Sequence, residues 1–202
     1  MSDIEYDHGF MKSDPFELVK QWLADGQETE TSVPEAMSVA TVDELNRPSI
    51  RLVLLRGFDE QGFVFYTNLA SSKAQDIGRN NNVALGFHWK QLRRQIRVQG
   101  TASMVSDEEA DKYFASRERG SQIGAWASRQ SDVLGSSQIL EAQVAYYTKK
   151  FGDTLIPRPE FWSGYRVCPD NIEFWEEGES RLHKRNYYWK DQGVWSARLL
   201  YP

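Results

Sequence analysis

Arginine, lysine and hydroxyl side chains recur in this sequence where they could bind a small anion. Arg51 and Arg56 flank an apolar run typical of a β-strand, and Lys73 follows Ser71 and Ser72 at the predicted start of a helix. A helix N-terminus presents free N–H groups and the positive end of a dipole, so these residues favour a phosphate there. Surface arginines and an ordinary helix cap would give the same pattern without a ligand.

Two further sets of hydroxyl groups fit the same chemistry. Tyr66 and Thr67 end a strand-like run just before that helix. Tyr113 and Arg117 lie four residues apart, hence on one predicted helical face, and Ser121 follows shortly after. A guanidinium beside two hydroxyls suits a phosphate monoester, and a helix-end arginine beside a cap is equally compatible with the spacing.

A third set could contact an aromatic ring. Gln95 and Arg97 share one face of a predicted strand, where an amide could hydrogen-bond a heterocycle. Arg181 and His183 would also share a strand face, and such a pair could steady a developing negative charge. The alternatives are that Gln95 and Arg97 are solvated residues of an exposed sheet and that His183 is structural. Trp175, a further aromatic of this region, is by default a core or interface residue.

Composition limits the class of protein. The 202 residues are 40% hydrophobic and 26% charged, which predicts one globular domain. The net charge of −5 argues against nucleic-acid binding and favours a small anionic ligand. Cys168 is the single cysteine and the three histidines do not cluster, so neither a disulfide nor a metal site is predicted. Redox chemistry would therefore need a bound cofactor.

Targeting signals are not apparent. The apolar run from Ile50 to Leu55 is far shorter than the ~20 residues that cross a bilayer, so we expect no membrane partner. The N-terminus is acidic and lacks the basic and apolar stretches of a secretory signal, which predicts a cytoplasmic protein.

Residue patterns predict an α+β fold that is mainly β. We expect a flexible N-terminal arm at residues 1–12 and a single domain at 13–202. Helices are predicted from the Asp14 cap to Gly26 and at 71–79, 106–117 and 136–151. Strands are predicted at 36–43, 49–57, 63–67, 83–89, 93–105, 164–168, 171–175, 181–190 and 194–199. The first three strands suggest a meander or a barrel, and the whole a closed antiparallel barrel with helices outside.

These residues together resemble the pyridoxine (pyridoxamine) 5′-phosphate oxidase family. The resemblance covers about residues 14–202, and its most specific blocks are Ser121-Gln-Ile-Gly-Ala-Trp126 and Arg181-Leu-His183. The supporting blocks are Arg51-Leu-Val-Leu-Leu, Phe65-Tyr-Thr-Asn68, Arg94-Gln95, Tyr113-Phe, Ser116-Arg117, Arg129-Gln-Ser131 and Ile172-Glu-Phe-Trp175. Ser72 stands where the family usually has an arginine.

The resemblance implies an antiparallel split β-barrel homodimer with FMN at the subunit interface and the strands of 164–202 in that interface. It implies that FMN is bound by Arg51, Leu52, Val53, Leu54, Leu55, Arg56, Tyr66, Thr67, Ser72, Lys73, Gln95, Gln130, Ser131, Trp175 and Arg185. It implies that the substrate is bound by Arg56, Tyr113, Arg117, Ser121, Arg181, Leu182 and His183, with Arg181 and His183 as the catalytic pair.

The implied reaction is the oxidation of pyridoxamine or pyridoxine 5′-phosphate to pyridoxal 5′-phosphate. A hydride passes to the flavin, and oxygen then accepts the electrons to give hydrogen peroxide. Two alternatives stay open: a related flavin oxidase that acts on another aromatic substrate, and a non-catalytic protein that binds FMN or pyridoxal 5′-phosphate. RNA binding through the strand at 93–97 would need a basic surface, which the net charge disfavours.

Overall fold

The computed structural model describes residues 14–30 and 33–202, so the predicted arm at 1–12 lies outside the described residues. The helices are α1 (Pro15–Thr29), α2 (Ser72–Arg79), α3 (Asp107–Ser116), α4 (Arg119–Ala127) and α5 (Ser137–Phe151). The strands are β1 (Ala36–Val42), β2 (Pro48–Leu54), β3 (Gly57–Asp59), β4 (Gly62–Asn68), β5 (Asn82–Trp89), β6 (Arg94–Met104), β7 (Trp162–Glu176), β8 (Lys184–Asp191) and β9 (Val194–Leu199). In these ranges no helix has both the length and the apolar character needed to cross a membrane.

The strands form one antiparallel sheet that curls into a half-barrel. Their order is β2-β1-β5-β6-β7-β4-β3, and the hairpin of β8 and β9 pairs with β7. Only Leu55 and Arg56 separate the two ends of this order, and the Arg56 N–H donates to the carbonyl of Val64 on β4 at 2.8 Å. The mainly β, antiparallel fold is therefore confirmed. The meander is wrong, because β1 pairs with β2 and β5 while β4 pairs with β7.

Strand β7 connects the C-terminal hairpin to the rest of the sheet. Two strands were predicted at 164–168 and 171–175, but β6 pairs with both halves and makes them continuous. A register shift between Gln99 and Gly100, which lies opposite Pro169, accommodates the proline that the pattern suggested as a break. The first half of β7 pairs with β4 and the second with β8, so a single strand spans the sheet from the barrel to the hairpin.

Helix α1 begins as the sequence predicts and ends later. The Asp14 carboxylate accepts a hydrogen bond from the Phe16 N–H at 2.9 Å, which caps the helix. Gly26 does not stop it. A side chain there would lie 2.8 Å from the Trp89 indole, so Gly26 serves the close packing of α1 on the sheet.

Two segments differ from the predictions. Helix α4 was not predicted, because Gly120 and Gly124 lower the helical propensity of its sequence. The predicted strand at 181–190 begins only at Lys184, and Glu179–Arg181 is instead a 3₁₀ turn with positive φ at Ser180 and Arg181. Leu182 closes this turn by donating its N–H to the Glu179 carbonyl at 2.9 Å. Arg181 and His183 therefore do not share a strand face.

Candidate functional site

A cavity of about 1240 Å³ opens between strands β2 and β4 and helices α2, α3 and α4. Most of the predicted site residues line it. They are Arg51, Leu52, Val53, Leu54, Arg56, Tyr66, Thr67, Ser72, Lys73, Tyr113, Arg117, Ser121, Gln130 and Ser131. The charged residues in the lining are four cations, Arg51, Arg56, Lys73 and Arg117, and one acid, Glu118. The cavity is thus suited to anions.

Lys73 is the most buried cation of the cavity. It is only 7% exposed, and its ammonium donates to the hydroxyls of Thr67 at 3.0 Å and Ser71 at 3.3 Å and to the Gln130 amide oxygen at 3.1 Å. All three acceptors are neutral. Burial, together with repulsion from Arg51, lowers the pKa of Lys73 to about 8. A dianionic ligand at this position would restore the charged form.

Arg51 reaches the same end of the cavity from β2. Its Nη1 donates to the Val39 carbonyl at 3.2 Å, to the Thr41 hydroxyl at 2.7 Å and to the Ser49 carbonyl at 3.1 Å, and its Nη2 donates to the Ser49 hydroxyl at 2.9 Å. None of these four bonds uses Nε. The guanidinium is thereby held in one orientation with donor capacity left for a ligand. Burial lowers the pKa of Arg51, and the nearby Asp76 carboxylate opposes that shift.

Arg117 is the cation at the other end of the cavity. Its Nη1 is buried and makes no hydrogen bond in the described part of the chain, while the guanidinium lies 4.8 Å from the centre of the Trp162 ring. Burial lowers the pKa of Arg117, and Arg56 nearby adds to that shift. A buried donor of a charged group without an acceptor is costly, which points to a bound anion here.

A stack of aromatic rings forms the wall between α3 and β4. Tyr66 stacks on Tyr113 with 3.9 Å between ring centres and on Trp162 with 5.3 Å. Burial and the Glu109 carboxylate raise the pKa of Tyr66 to about 12, so its hydroxyl stays neutral. We did not predict Trp162 as a site residue. Trp162 follows Pro159 at the start of a strand, and this position indicates a site residue only when the pairing of that strand with β4 is known.

The other predicted site residues do not line the cavity. Leu55 is 7% exposed and its side chain belongs to the hydrophobic core. The remainder lie on or beside β6, β7 and β8, and we refer to them as the C-terminal group. They are Gln95, Trp175, Arg181, Leu182, His183 and Arg185.

The C-terminal group has a well-defined internal geometry. Gln95, Trp175 and Arg185 lie opposite one another on three paired strands. The rings of Trp175 and His183 are 4.6 Å apart, and His183 Nδ1 accepts from the Gly178 N–H at 3.3 Å.

Arg185 is fixed by a carboxylate that the sequence analysis missed. It donates to both oxygens of Glu173, at 2.7 and 3.1 Å, and to the carbonyl of Tyr201 at 2.9 Å. The hydrogen bond to Glu173 raises the pKa of Arg185. Glu173 lies two residues before Trp175 and therefore on the same face of the strand. This two-residue period could have indicated from the sequence that Glu173 lies beside the predicted site residues.

Two family models match consecutive parts of the chain. Residues 26–151 match the model described as pyridoxamine 5′-phosphate oxidase. The chain belongs to that family. Residues 162–202 match the model of the pyridoxine 5′-phosphate oxidase C-terminal dimerisation region, which covers most of the C-terminal group.

Relatives with similar sequences agree with this family. A pyridoxine/pyridoxamine 5′-phosphate oxidase of Chelativorans sp. (strain BNC1) is 50% identical over 190 residues, which are 94% of this chain and 91% of that protein. One of Agrobacterium fabrum is 49% identical over 193 residues, 95% of this chain and 94% of that one. The family is one of oxidoreductases, so this chain is an enzyme of that class.

Solved structures agree on the fold. PhzG from Burkholderia lata, in complex with tetrahydrophenazine-1-carboxylic acid, superposes with a TM-score of 0.91 at 28% identity, over 99% of this chain and 98% of that one. A pyridoxamine 5′-phosphate oxidase-related FMN-binding protein from Nostoc punctiforme gives 0.76 at 18% identity, over 95% of this chain and 100% of that one. The predicted split barrel is therefore confirmed.

Proposed function

We propose that this protein oxidises pyridoxamine or pyridoxine 5′-phosphate to pyridoxal 5′-phosphate, with FMN as cofactor and oxygen as electron acceptor, giving hydrogen peroxide. One observation carries the proposal. A single cavity contains two cations, the buried Lys73 and the half-buried Arg117, neither of which has a carboxylate partner in the described residues. Two phosphate groups, one of the cofactor and one of the substrate, would satisfy them.

The end of the cavity around Lys73 fits the FMN phosphate. The buried ammonium, the Arg51 guanidinium and the Ser131 hydroxyl supply charged and neutral donors at one place. Bound there, FMN would supply the hydride acceptor and the route for electrons to oxygen. The protein's own part is to hold the phosphate, and to keep Gln130 and Thr67 oriented through their mutual hydrogen bond of 2.9 Å.

The end around Arg117 fits the substrate phosphate. Arg117 offers an anion a donor that has no other acceptor among the described residues, and Ser121 on α4 adds a hydroxyl. The Tyr113 ring is fixed by its stack on Tyr66. Binding the phosphate here would fix the position of the rest of the substrate in the cavity, which is the entropic part of catalysis. Arg56 adds a second cation at the same end.

The C-terminal group would complete the site from a second subunit. Its residues lie outside the cavity of their own chain, and most of it falls in the region that matches the family's dimerisation model. In a homodimer Arg181, Leu182 and His183 would cover the substrate ring, while Gln95, Trp175 and Arg185 would contact the flavin. Isologous dimers place such pairs of surfaces together twice.

A related oxidase activity on another aromatic substrate is the second candidate. The Burkholderia lata relative binds tetrahydrophenazine-1-carboxylic acid, and the aromatic wall of Tyr66, Tyr113 and Trp162 would accept such a ring system. Arg117, whose buried Nη1 has no partner among the described residues, lies beside two hydroxyls and favours a phosphate monoester over a single carboxylate, because a monoester offers more acceptor oxygens. The alternative of a non-catalytic protein requires that FMN or pyridoxal 5′-phosphate binds and that no substrate is oxidised.

One anaerobic titration separates these functions. Pyridoxamine 5′-phosphate is added to the FMN-loaded protein while the visible absorption of the oxidised flavin is recorded. We expect bleaching that reverses when air is admitted, with peroxide formed. A spectral shift without bleaching would support a non-catalytic binder, and an unchanged spectrum would redirect the search to unphosphorylated aromatic acids.

A further inference from the structure

Helix α2 carries two buried charges that do not pair with each other. Lys73 and Asp76 are three residues apart, and both are 7% exposed. Side chains at this spacing are neighbours on a helix and commonly form an ion pair. Lys73 instead donates to three neutral oxygens, and the Asp76 carboxylate is directed to β1 and β2.

Asp76 interacts with Arg51 mainly through one hydroxyl. The Thr41 hydroxyl donates to Asp76 Oδ2 at 2.6 Å and accepts from Arg51 Nη1 at 2.7 Å, while the direct distance from Arg51 Nη2 to Oδ2 is 3.9 Å. Thr41 is fully buried. Because its single proton is donated to Asp76, the Thr41 oxygen lone pairs must face Arg51. The carboxylate thus fixes the hydroxyl, and the hydroxyl makes the shortest of the four hydrogen bonds that hold the guanidinium.

We propose that Asp76, acting through Thr41, is a positioning residue that holds Arg51 in the orientation that binds the cofactor phosphate. This inference rests on the proposed function for the identity of the ligand. Asp76 itself does not line the cavity, whereas Arg51 does.

Charge and position act in opposite directions at this residue, which makes the proposal testable. A buried carboxylate close to a bound phosphate repels it, so removal of the charge alone should tighten anion binding. If Asp76 positions Arg51, removal of the charge should instead weaken binding, because the Thr41 hydroxyl would be free to turn and the guanidinium to move. The sign of the change in FMN affinity distinguishes the two roles.

The first experiment compares FMN with riboflavin, which has no phosphate, by fluorescence titration of flavin-free protein. We expect Asp76→Asn and Thr41→Val each to raise the Kd of FMN about tenfold, as for the loss of one positioned hydrogen bond, and to leave the Kd of riboflavin unchanged. Thr41→Ser keeps the hydroxyl and should retain wild-type affinity. Tighter FMN binding by Asp76→Asn, or an equal loss for both flavins, would overturn the proposal.

Asp43→Asn provides a matched control. Asp43 also binds an arginine, Arg47, at 2.7 Å, but neither residue lines the cavity. Its replacement should change the Kd of neither flavin. A loss of FMN affinity as large as that of Asp76→Asn would mean that general weakening of the β1–β2 hairpin causes the effect, and would overturn the positioning role.

A second measurement does not depend on FMN. The nitrogen-bound protons of the Arg51 guanidinium can be followed by NMR in the free protein. We expect separate, slowly exchanging Nη signals in the wild type and their collapse in Asp76→Asn. Unchanged signals would overturn the positioning role. A wild-type protein that binds FMN no better than riboflavin would instead overturn the proposed phosphate site, so the two failures are distinguishable.

Discussion

The cavity and the C-terminal group treat their cations differently. In the cavity, Lys73 is bound by neutral oxygens and one nitrogen of Arg117 is buried without an acceptor among the described residues. In the C-terminal group, Arg185 is held by both oxygens of Glu173, which also accepts from Arg97 at 2.7 Å. The first region keeps positive charge available for a ligand, whereas in the second the charge of Arg185 is already neutralised within the sheet.

This difference indicates what each region contributes. Unpaired buried cations cost stability in the free protein and are compensated only when an anion binds, so the cavity is preorganised for phosphates. In the C-terminal group Arg185 is satisfied by Glu173, but Leu182 is 70% exposed, and Arg181 and Ser180 occupy a turn with positive φ. Such an exposed turn is suited to closing over a site that lies on another subunit.

The largest expected effect tests whether the two regions meet between subunits. Arg117→Glu places a negative charge where the substrate phosphate is proposed to bind. Arg181→Glu places one in the turn that is proposed to cover the substrate ring. Each homodimer should lose roughly a thousandfold in kcat/KM, since like charges at close range cost several kcal/mol. A heterodimer with one variant in each subunit has one intact site if Arg117 and Arg181 of a site come from different chains.

The heterodimer can be isolated by co-expression with two different affinity tags and assayed directly. We expect it to recover about half of the wild-type activity, because one of the two equivalent sites of an isologous dimer is restored. As a control, a dimer with both substitutions in one subunit and a wild-type partner should be inactive, because each of its sites then contains one substitution. The reverse result, an inactive mixed dimer and a half-active control, would show that both residues of a site come from the same chain.

The next effect concerns the cation that the cavity leaves unneutralised at its cofactor end. Lys73→Met should raise the Kd of FMN roughly 100-fold, because a buried charged hydrogen bond to the phosphate is lost. Riboflavin affinity should stay unchanged. A similar loss for riboflavin would place Lys73 away from the phosphate.

The pH dependence of FMN binding sharpens the same point. The pKa of Lys73 in the free protein is lowered from 10.5 to about 8, so the ammonium is lost as the pH rises through that value. FMN affinity should therefore be nearly constant between about pH 7 and 7.5, where the phosphate is dianionic, and fall at higher pH by at most about tenfold per pH unit, as expected for one linked proton. Lys73→Arg keeps its charge and should remove this dependence, which isothermal titration at several pH values would measure.

Arg117 should give a smaller effect on substrate and an opposite one on stability. Arg117→Ala should raise the KM for pyridoxamine 5′-phosphate roughly 10- to 30-fold and leave the flavin content unchanged, because it removes a phosphate contact remote from the flavin. Arg117→Met fills the space beside Trp162 without a buried charge, so the free protein should melt at a higher temperature. A lower Tm for Arg117→Met would show that the guanidinium is already satisfied in the free protein.

The sequence predicts the two regions unequally well. The strand–turn–helix at Tyr66 to Lys73 and the spacing of Tyr113, Arg117 and Ser121 are local patterns, and the structure brings residues of both to one cavity. The order of strand, turn and helix follows from local residue preferences and can be read without a fold, but Arg117 has extended backbone just after α3 and does not share a helical face with Tyr113. The resemblance to a known family supplied their assignment to two phosphates.

Long-range pairing was not readable in the same way. The continuity of β7 depends on its pairing with β6, and the orientation of Arg185 depends on Glu173. The turn at Glu179–Arg181 is set by positive φ at two residues that are not glycine, which propensities disfavour. Thr41 and Asp76 were missed because they come together only when α2 packs on β1 across 35 positions of sequence.

Ser72 should give the smallest effect, and its replacement tests whether a further positive charge in the cavity improves FMN binding. It is exposed at the cofactor end of the cavity, where its N–H donates to the Ser131 hydroxyl at 3.3 Å, and it stands where the resemblance places an arginine. Ser72→Arg adds a solvent-exposed cation, whose ion pair with a phosphate is worth only ~0.2–1 kcal/mol, so the Kd of FMN should fall about two- to fivefold. The gain should shrink at high ionic strength, because exposed charges are screened. Ser72→Gln, which is also long and polar but neutral, should leave the Kd of FMN unchanged. If Ser72→Gln tightens FMN binding as much as Ser72→Arg does, the gain comes from added contacts and not from charge. A further cation in the cavity would then not improve phosphate binding.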